Sequence, residues 1–456
     1  MPTPRSILLL GLSAAAVRTA RQNEPHTLQT PTPLAAHEIG VCAIFTFRYE
    51  SAALMPWIAY NSLLGVDRFF LWEDDFSPRW RPSRAESRLS SLLQAIPDRV
   101  SLVGMRSVEK GLLANGNITN STEQERTMDS LLDARHHPPT WVQNLMVQSC
   151  ARRSSEGAAT WMGGWDVDEY PVLSGVHAAS ASEEGGVPPL KRFLRNMTSA
   201  GANVVVLPRT PMGASPVMEW PADDGTFETE DYLQRTQYPE PSPKLLWRTA
   251  AANTCDVHCG ILKEQTSEDK ARASILWPDG SRAPARLEHQ DWPRSDDLWR
   301  NTRNAVAGEG IADDDPDPMT FDGPNGWMRY NHVTGQPLRL NHYRYRSVAE
   351  CQFKEACNNV ETDHAPGAGG WRVNAHQSVA EGGNDVCTLD GESPRDATTA
   401  ALSPGVRREM VRLFGADALA LHRELQGEFT RRLRALPRDE NGTMTLPAID
   451  GENFFI

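Results

Sequence analysis

Residues 161–171 read Trp-Met-Gly-Gly-Trp-Asp-Val-Asp-Glu-Tyr-Pro, an aromatic, apolar run that breaks abruptly into acids. With the run as a buried strand, Asp166 and Asp168 leave its end on the same side, because strand side chains alternate with a period of two. Two carboxylates that close repel and shift each other's pKa unless a cation stands between them. A divalent metal with oxygen ligands, open on one side to a phosphate, keeps both ionised. A D-x-D triplet by itself is a short motif that solvated turns also contain. Here Trp161 and Trp165 bracket the site, and acidic surface turns seldom follow aromatic strands. Glu169 points away from Asp168 in a regular strand, so its expected part is to brace the turn.

The elements that must position these acids can be read from the same patterns. Val41–Phe47 is a continuous apolar run short enough for a buried strand. Glu50–Leu64 has helical spacing, with Leu54, Trp57, Ile58 and Leu64 on one side and Gly65 as a stop. Val66–Trp72 predicts a second strand, Arg84–Ala95 a helix and Val100–Met105 a third strand. This β-α-β-α-β order implies an α/β fold with a mostly parallel sheet, flanked by helices and binding ligands at the carboxyl ends of its strands. Further on, the patterns predict helices over Thr140–Arg153 and Pro188–Met197, and a strand over Ala202–Leu207. From Pro208 to Arg344 the periodicity loosens into loops and short strands, the expected acceptor-binding region. The Asp313-Asp314-Asp315 run within it reads as a solvated loop. A helix over Ser347–Asn358, with Glu350 and Lys354 at i,i+4, and two closing helices, Gly405–Phe414 and Ala416–Leu436, complete a C-terminal helical region.

Bulk composition bounds the function. A chain of 456 residues with 39 % hydrophobic content and 13 Trp can bury a core and is not a disordered chain. A formal charge of −13 argues against a nucleic-acid partner, which needs a basic face. At the N-terminus, Arg5 precedes an apolar run, Ile7–Leu12, and the small residues Ser13–Ala16. That is the pattern of a secretory signal, and the run is short of the ~20 residues that span a bilayer. Continuation to Val17 leaves a short signal anchor as the second reading, and a membrane enters only with that reading. Sequons at Asn117, Asn120, Asn196 and Asn441 fit the secretory pathway. So do seven cysteines, enough for up to three disulfides. Cys255-Asp-Val-His258-Cys259 lacks the second half of a standard zinc finger and reads as a disulfide or as packing. The expected organisation is a signal or short anchor over 1–20, a stem over 21–37, a catalytic domain over 38–346 and the helical extension over 347–456.

Three blocks in this order resemble glycosyltransferase family 92, a group similar to the wider family 2 type with a GT-A fold. The first runs from Ala43-Ile-Phe-Thr-Phe-Arg48-Tyr-Glu50 through Trp57-Ile58 and Leu64-Gly65-Val66-Asp67 to Phe70-Leu71-Trp72-Glu73-Asp74. It is similar to the family's first strand, its "E-W-I" helix and its "G-V-D" strand, with Pro56 where an acid is usual. The second is Trp161–Pro171, resembling "D-x-D-E-F" with Tyr170 for Phe. The third is Leu340-Asn341-His342-Tyr343-Arg344 with Ser347 and Lys354, similar to "N-H-Y … S … K". Weaker echoes lie at Gly213, Lys244 and Val257-His258, and the likeness spans roughly Val41 to Lys354.

The resemblance implies a Rossmann-like GT-A domain in the Golgi lumen or secreted, using Mn²⁺ and a nucleotide-sugar donor, a UDP-sugar. It implies inverting transfer of a hexose, galactose in the family, to a glycan acceptor. Asp166 and Asp168 then hold the metal, and His342 is the third ligand candidate against a plain packed histidine. An imidazole with carboxylates suits Mn²⁺ better than Ca²⁺. Glu50 and Asp74 follow the first two strands, where base and ribose lie in such folds. For Glu50 the competing role is a carboxylate at a helix N-terminus, and for Asp74 a turn. Lys244 and Arg344 are candidates for the pyrophosphate, Glu219, Glu230 and Asp256 for the general base. Two other function classes share these residues: a glycan-binding protein on an inactive transferase fold, and a phosphoester hydrolase, which wants more clustered His and Asp for two metals.

Overall fold

The computed structural model describes residues 37–73, 82–104, 159–174, 187–213, 220–235 except 222, 244–262 except 251, 257 and 258, 274–281, 336–350 except 346 and 348, 395–438, and 440. Ala36–Ile456 forms one compact unit; the expected signal and stem lie outside the described residues. So do the helices expected at 140–153 and, beyond its first residues, at 347–358, together with the 313–315 run.

The first half of the main sheet follows from the apolar runs. Strands β1 (His37–Phe45), β2 (Arg68–Glu73) and β3 (Val100–Gly104) lie parallel, joined by helices α1 (Phe47–Leu64) and α2 (Arg84–Gln94). Strand β4 (Ala159–Gly164) pairs parallel with the other side of β1. Gly163 permits the Trp-Met-Gly-Gly-Trp run to fold as it does, because a side chain there would collide with the Trp165 ring. Gly65 ends α1 in the left-handed region at φ 109°, its N–H closing onto the Asn61 carbonyl. Asp67 staples the sheet edge: it accepts the Ile39 N–H and pairs at 2.7 Å with Lys191 of α3 (Pro189–Ser199). Asn196, one of the sequon asparagines, is exposed on that helix.

The second half departs from a parallel sheet. Strand β6 (Val204–Leu207) does not return through a helix but continues as β7 (Arg209–Gly213) into a second sheet. Strand β5 (Glu169–Leu173) extends β4 into that sheet in the same way. After α4 (Glu228–Asp231) and β8 (Gln234–Arg235), the chain re-enters the main sheet from its carboxyl edge as β9 (Lys244–Arg248). A strand that starts at that edge runs backwards, and β9 is antiparallel to both β4 and β6. Beyond a β10 (Ala252–Asp256) and β11 (Cys259–Leu262) hairpin, β12 (Ile275–Leu276) closes the edge. The result is a seven-stranded mixed sheet in the order β12-β6-β9-β4-β1-β2-β3. Strand β13 (Leu338–Tyr345) completes the small sheet β5-β13-β7-β8, antiparallel to β5 and parallel to β7.

Helix α1 is buried at consecutive positions, Ala53, Leu54 and Met55, then Trp57 to Tyr60, rather than along one stripe. A helix apolar all round must be covered all round. The covers are the sheet and the C-terminal helices α5 (Ser403–Phe414) and α6 (Ala418–Ala435). Helix α6 also clasps the start of α2, where Ser83 and Glu86 form a capping box. Ser83 Oγ donates to Glu428, and Arg432 reaches Glu86 at 2.7 Å.

Pro56 interrupts α1 without breaking it. Proline has no N–H, so the carbonyl four residues earlier, Ala52, loses its helical donor. His422 of α6 supplies one: its Nδ1 lies 2.9 Å from Ala52 O. Its Nε2 lies 3.4 Å from the Thr226 carbonyl, which already accepts from Gln426 at 2.7 Å, so one imidazole N–H suffices. Burial holds the His422 pKa down at about 4, against the pull of the two carbonyls. A cavity of about 40 Å³ beside this contact, lined by Pro56, Tyr170 and His422 among others, has room for a water.

Two outcomes test this arrangement. His422→Leu should cost about 1–3 kcal/mol less in a Pro56→Ala background, which restores the helical donor, than in the wild type, as read from denaturant unfolding. A folded-state pKa of about 4 against an unfolded value near 6.5 means that unfolding takes up a proton between those limits. Wild-type stability should therefore fall by about 3 kcal/mol more than that of His422→Gln as pH drops from 6.5 to 4, with no further difference below.

Candidate donor and metal site

The acidic segment is a turn, not a strand end. Strand β4 stops at Gly164, and the Glu169 N–H closes onto Asp166 O at 3.0 Å. Two-residue alternation therefore does not set the directions of Asp166 and Asp168; their partners do. The backbone of the turn is held from several sides. Asp168 O accepts Tyr343 N–H (2.8 Å) from β13, Glu169 O accepts the Trp57 indole (2.9 Å) and Pro171 O the Tyr60 hydroxyl (2.8 Å), both from α1. Asp166 N–H donates to Glu169 Oε2 at 2.8 Å, the bracing role expected of Glu169.

Glu169 does more than brace. It is fully buried, takes Arg209 on Oε1 at 2.7 Å and has Lys244 Nζ 3.5 Å from Oε2. Lys244 in turn pairs with Asp166 Oδ2 at 2.8 Å. Two cations and two carboxylates thus share one volume at the joint of the two sheets. Burial raises the Glu169 pKa, and Lys244 and Arg209 draw it only partly back. For Lys244 burial favours the neutral amine, but Asp166 and Glu169 outweigh it and the pKa rises.

On the other arm of the turn, Asp168 faces His342, with Oδ1 to Nε2 at 3.5 Å and both residues buried. His342 arrives on β13, directly opposite Glu169 in the strand register. The separation exceeds a hydrogen bond of about 2.7–3.2 Å. It matches two ligands of one ion: donors about 2.1 Å from a metal and roughly 90–115° apart stand about 3–3.5 Å from each other. Among the described residues no three His, Cys, Asp or Glu converge as a ready-made metal cage. The expected triad of Asp166, Asp168 and His342 is thus a pair, Asp168 with His342, and an aspartate turned to a lysine. An oxygen–nitrogen pair fits Mn²⁺, whose other ligands would come from a substrate and water.

The other expected site residues separate. Glu50 stands after β1 at the same carboxyl edge, and its carboxylate accepts the Thr46 N–H at 2.8 Å, closing the strand–helix joint. Lys244 is 1 % exposed and engaged by carboxylates, not set at the surface for a pyrophosphate. Glu230 forms a fork with Arg407 of α5, at 2.7 and 2.6 Å. Although burial opposes it, that fork holds the carboxyl below its ordinary pKa, a strut between α4 and α5 and a weak proton acceptor. Asp256 sits at the end of β10 and Arg344 on β13, with their side chains outside the described residues; Asp74 and Glu219 lie outside them altogether. Arg209 is the residue that the sequence reading passed over. Its signal is position: like Asp166, it stands just past an apolar strand, Val204–Leu207, where a charge arrives at the carboxyl edge of the sheet.

The chain matches no protein-family model and no curated protein.

Replacing Glu169 by Gln removes the buried carboxylate that both Arg209 and Lys244 approach. Breaking a buried ion network in this way costs about 3–5 kcal/mol. Thermal and urea unfolding of Glu169→Gln should show that loss, while Glu424→Gln, whose pair with Arg88 is exposed on both sides, should stay within about 0.5–1 kcal/mol of wild type.

Proposed function

We propose that this chain is a divalent-metal-dependent glycosyltransferase of GT-A type, akin to family 92, that moves a hexose from a nucleotide-sugar donor to a glycan acceptor. The observation that carries the reading is the Asp168–His342 pair, set at 3.5 Å where the central strand leaves the sheet. Three features support it further: parallel strands β1, β2 and β4 with their carboxyl ends at one edge, a small second sheet growing from that edge, and Asp166 beside the pair.

In the proposed reaction the acceptor hydroxyl attacks the anomeric carbon, the bond to the diphosphate oxygen breaks, and the acceptor proton leaves to a base. Asp168 and His342 would hold Mn²⁺, which would supply Lewis-acid stabilisation to the departing diphosphate. The rest falls to the chain's own groups. Glu169, pinned by Arg209 and the Asp166 N–H, fixes the turn that carries Asp168. Trp57 and Tyr60 hold its backbone from α1, so the carboxylate is pre-oriented before substrate arrives. Glu230, bound to Arg407, is not the base in this scheme. The disulfide at Cys42 accords with the proposed secretory or Golgi location.

Nucleotide release from a panel of sugar nucleotides, with Mn²⁺ or with EDTA, tests the reading. One donor should be turned over with Mn²⁺ and not with EDTA, and Asp168→Asn should lower the rate by about 10²–10³-fold, the scale of a few kcal/mol of lost transition-state stabilisation. Absence of release from every donor, with glycan acceptors added, would move the protein to the glycan-binding class.

A further inference from the structure

We infer that Trp220 and the arginines over and beside it, Arg431, Arg434 and Arg438, form a binding surface for an acidic glycan. On the transferase reading above, on which this second step rests, the acceptor then carries sulfate or carboxylate groups.

The chain has 59 acids against 46 lysines and arginines, yet Ser403 to Arg438 holds eight arginines and only four acids, so positive charge collects on the C-terminal helices. Half of those arginines are already engaged. Arg407 is forked to Glu230 and Arg412 to Glu409, Arg432 reaches Glu86, and Arg423 donates to the Asp224 carbonyl. Arg431 and Arg434 in the last turns of α6, and Arg438 just beyond, are exposed. Among the described residues no carboxylate pairs with Arg431 or Arg434. What holds Arg434 is an aromatic ring: its guanidinium carbon lies 5.3 Å from the centre of the half-buried Trp220 ring, and that of Arg438 lies 4.8 Å from it. An indole face attracts a guanidinium without neutralising it. It fixes the side chain while the planar N–H fork keeps its capacity to bind a sulfate or carboxylate through two hydrogen bonds. Arg431 and Arg434 follow each other by about 5 Å along the helix axis, a row that successive acidic sugars can track.

The place suits an acceptor. Helix α2 leads directly into β3 and so runs back from the carboxyl edge of the sheet. Helix α6 runs antiparallel to it, with Glu424 against Arg88 and then Glu428 against Ser83. The arginine-rich end of α6 therefore comes out toward the carboxyl edge, the edge that carries Asp168 and His342. An anionic bilayer would need apolar side chains to insert, and the described residues expose one large apolar side chain, Val411 of α5, at 39 %. An acidic glycan uses what is present: guanidinium forks for its anionic groups and an aromatic face for the apolar side of a sugar ring.

Affinity electrophoresis of the full chain through gels holding dextran sulfate, polygalacturonate or neutral dextran tests the surface, with flotation on phosphatidylserine vesicles beside it. Retardation by an acidic polysaccharide, weakening with salt, and none by dextran is the expected result; the polyanion that retards says whether sulfate or carboxylate is read. Trp220→Leu, which keeps every charge, and the exposed pair Arg431→Gln/Arg434→Gln should each weaken retardation by about tenfold, while Arg412→Gln should stay within about twofold. Circular dichroism checks the fold of each variant. Full retardation of folded Trp220→Leu and of the arginine pair, flotation with the vesicles, or no retardation by either polyanion would overturn the inference. With acceptors present, the arginine pair should raise KM for the acidic glycan about tenfold and leave KM for the donor unchanged. Retardation that follows Trp220 and the arginines, with no nucleotide released from any donor, would keep the surface and sink the transferase reading; transfer to neutral glycans without retardation would do the reverse.

Discussion

A lysine ammonium removed from water must keep carboxylates beside it, and that requirement ties three separate pieces of chain together here. Lys244 opens β9, Asp166 and Glu169 bound the β4–β5 turn, and Arg209 begins β7. If any of the three moved by a strand register, a charge would be stranded in the interior, which costs more than the pair gains by forming. The quartet therefore specifies geometry more than it adds stability. It sets where β9 enters the main sheet, and it holds the joint at which two strands leave that sheet to build a second one. Asp168, one residue away from Glu169, inherits its position from that arrangement.

A second constraint works on α1. A helix with buried residues at consecutive positions has no solvent side, so Pro56 cannot leave Ala52 O to water. The C-terminal helices are what make α1 viable: α5 and α6 cover its outer flank, and α6 brings the imidazole that replaces the missing N–H. They belong to the same compact unit as the sheet, and their grip on α2 through Glu86 and Arg432 extends the cover to the neighbouring strand crossover.

How much of this could be read from the sequence varies with the kind of information involved. Strands β1, β2, β4 and β6 and helices α1, α2, α3, α5 and α6 announce themselves by local periodicity and by stops such as Gly65. Strand direction does not, because it resides in the connections. The reversal of β9 follows from the excursion of the chain through β7 and β8, a region without clean periods. Site residues divide along the same line. Asp166, Asp168 and His342 stood out by type and context, but the partner of each acid is set by contacts across the fold. Lys244 before Leu-Leu-Trp reads as a surface charge until Asp166, 78 residues earlier, is placed beside it. Pro56 was visible as an oddity within α1, while the donor that compensates it comes from 370 residues beyond Ala52.

The Asp168–His342 approach also depends on register in a way that gives the C-terminal segment a stake in the site. On β13, His342 and Asn341 project to opposite faces, with Asn341 opposite Tyr170 and His342 opposite Glu169. A slip of one residue would turn His342 toward α1 and put an amide beside Asp168. What prevents the slip lies on the far face. Tyr343 packs edge-on against Tyr170, which packs against Tyr60 of α1, and its hydroxyl meets Thr399. Arg339 is held by Asp396. Residues 396–399 immediately precede the short 3-10 turn that leads into α5, so the chain that fixes the register of β13 is the same chain that goes on to cover α1. The distance between one carboxylate and one imidazole is thus set by contacts on the opposite side of a four-stranded sheet, and a C-terminal region with no acid or base in the pair still decides whether the pair exists.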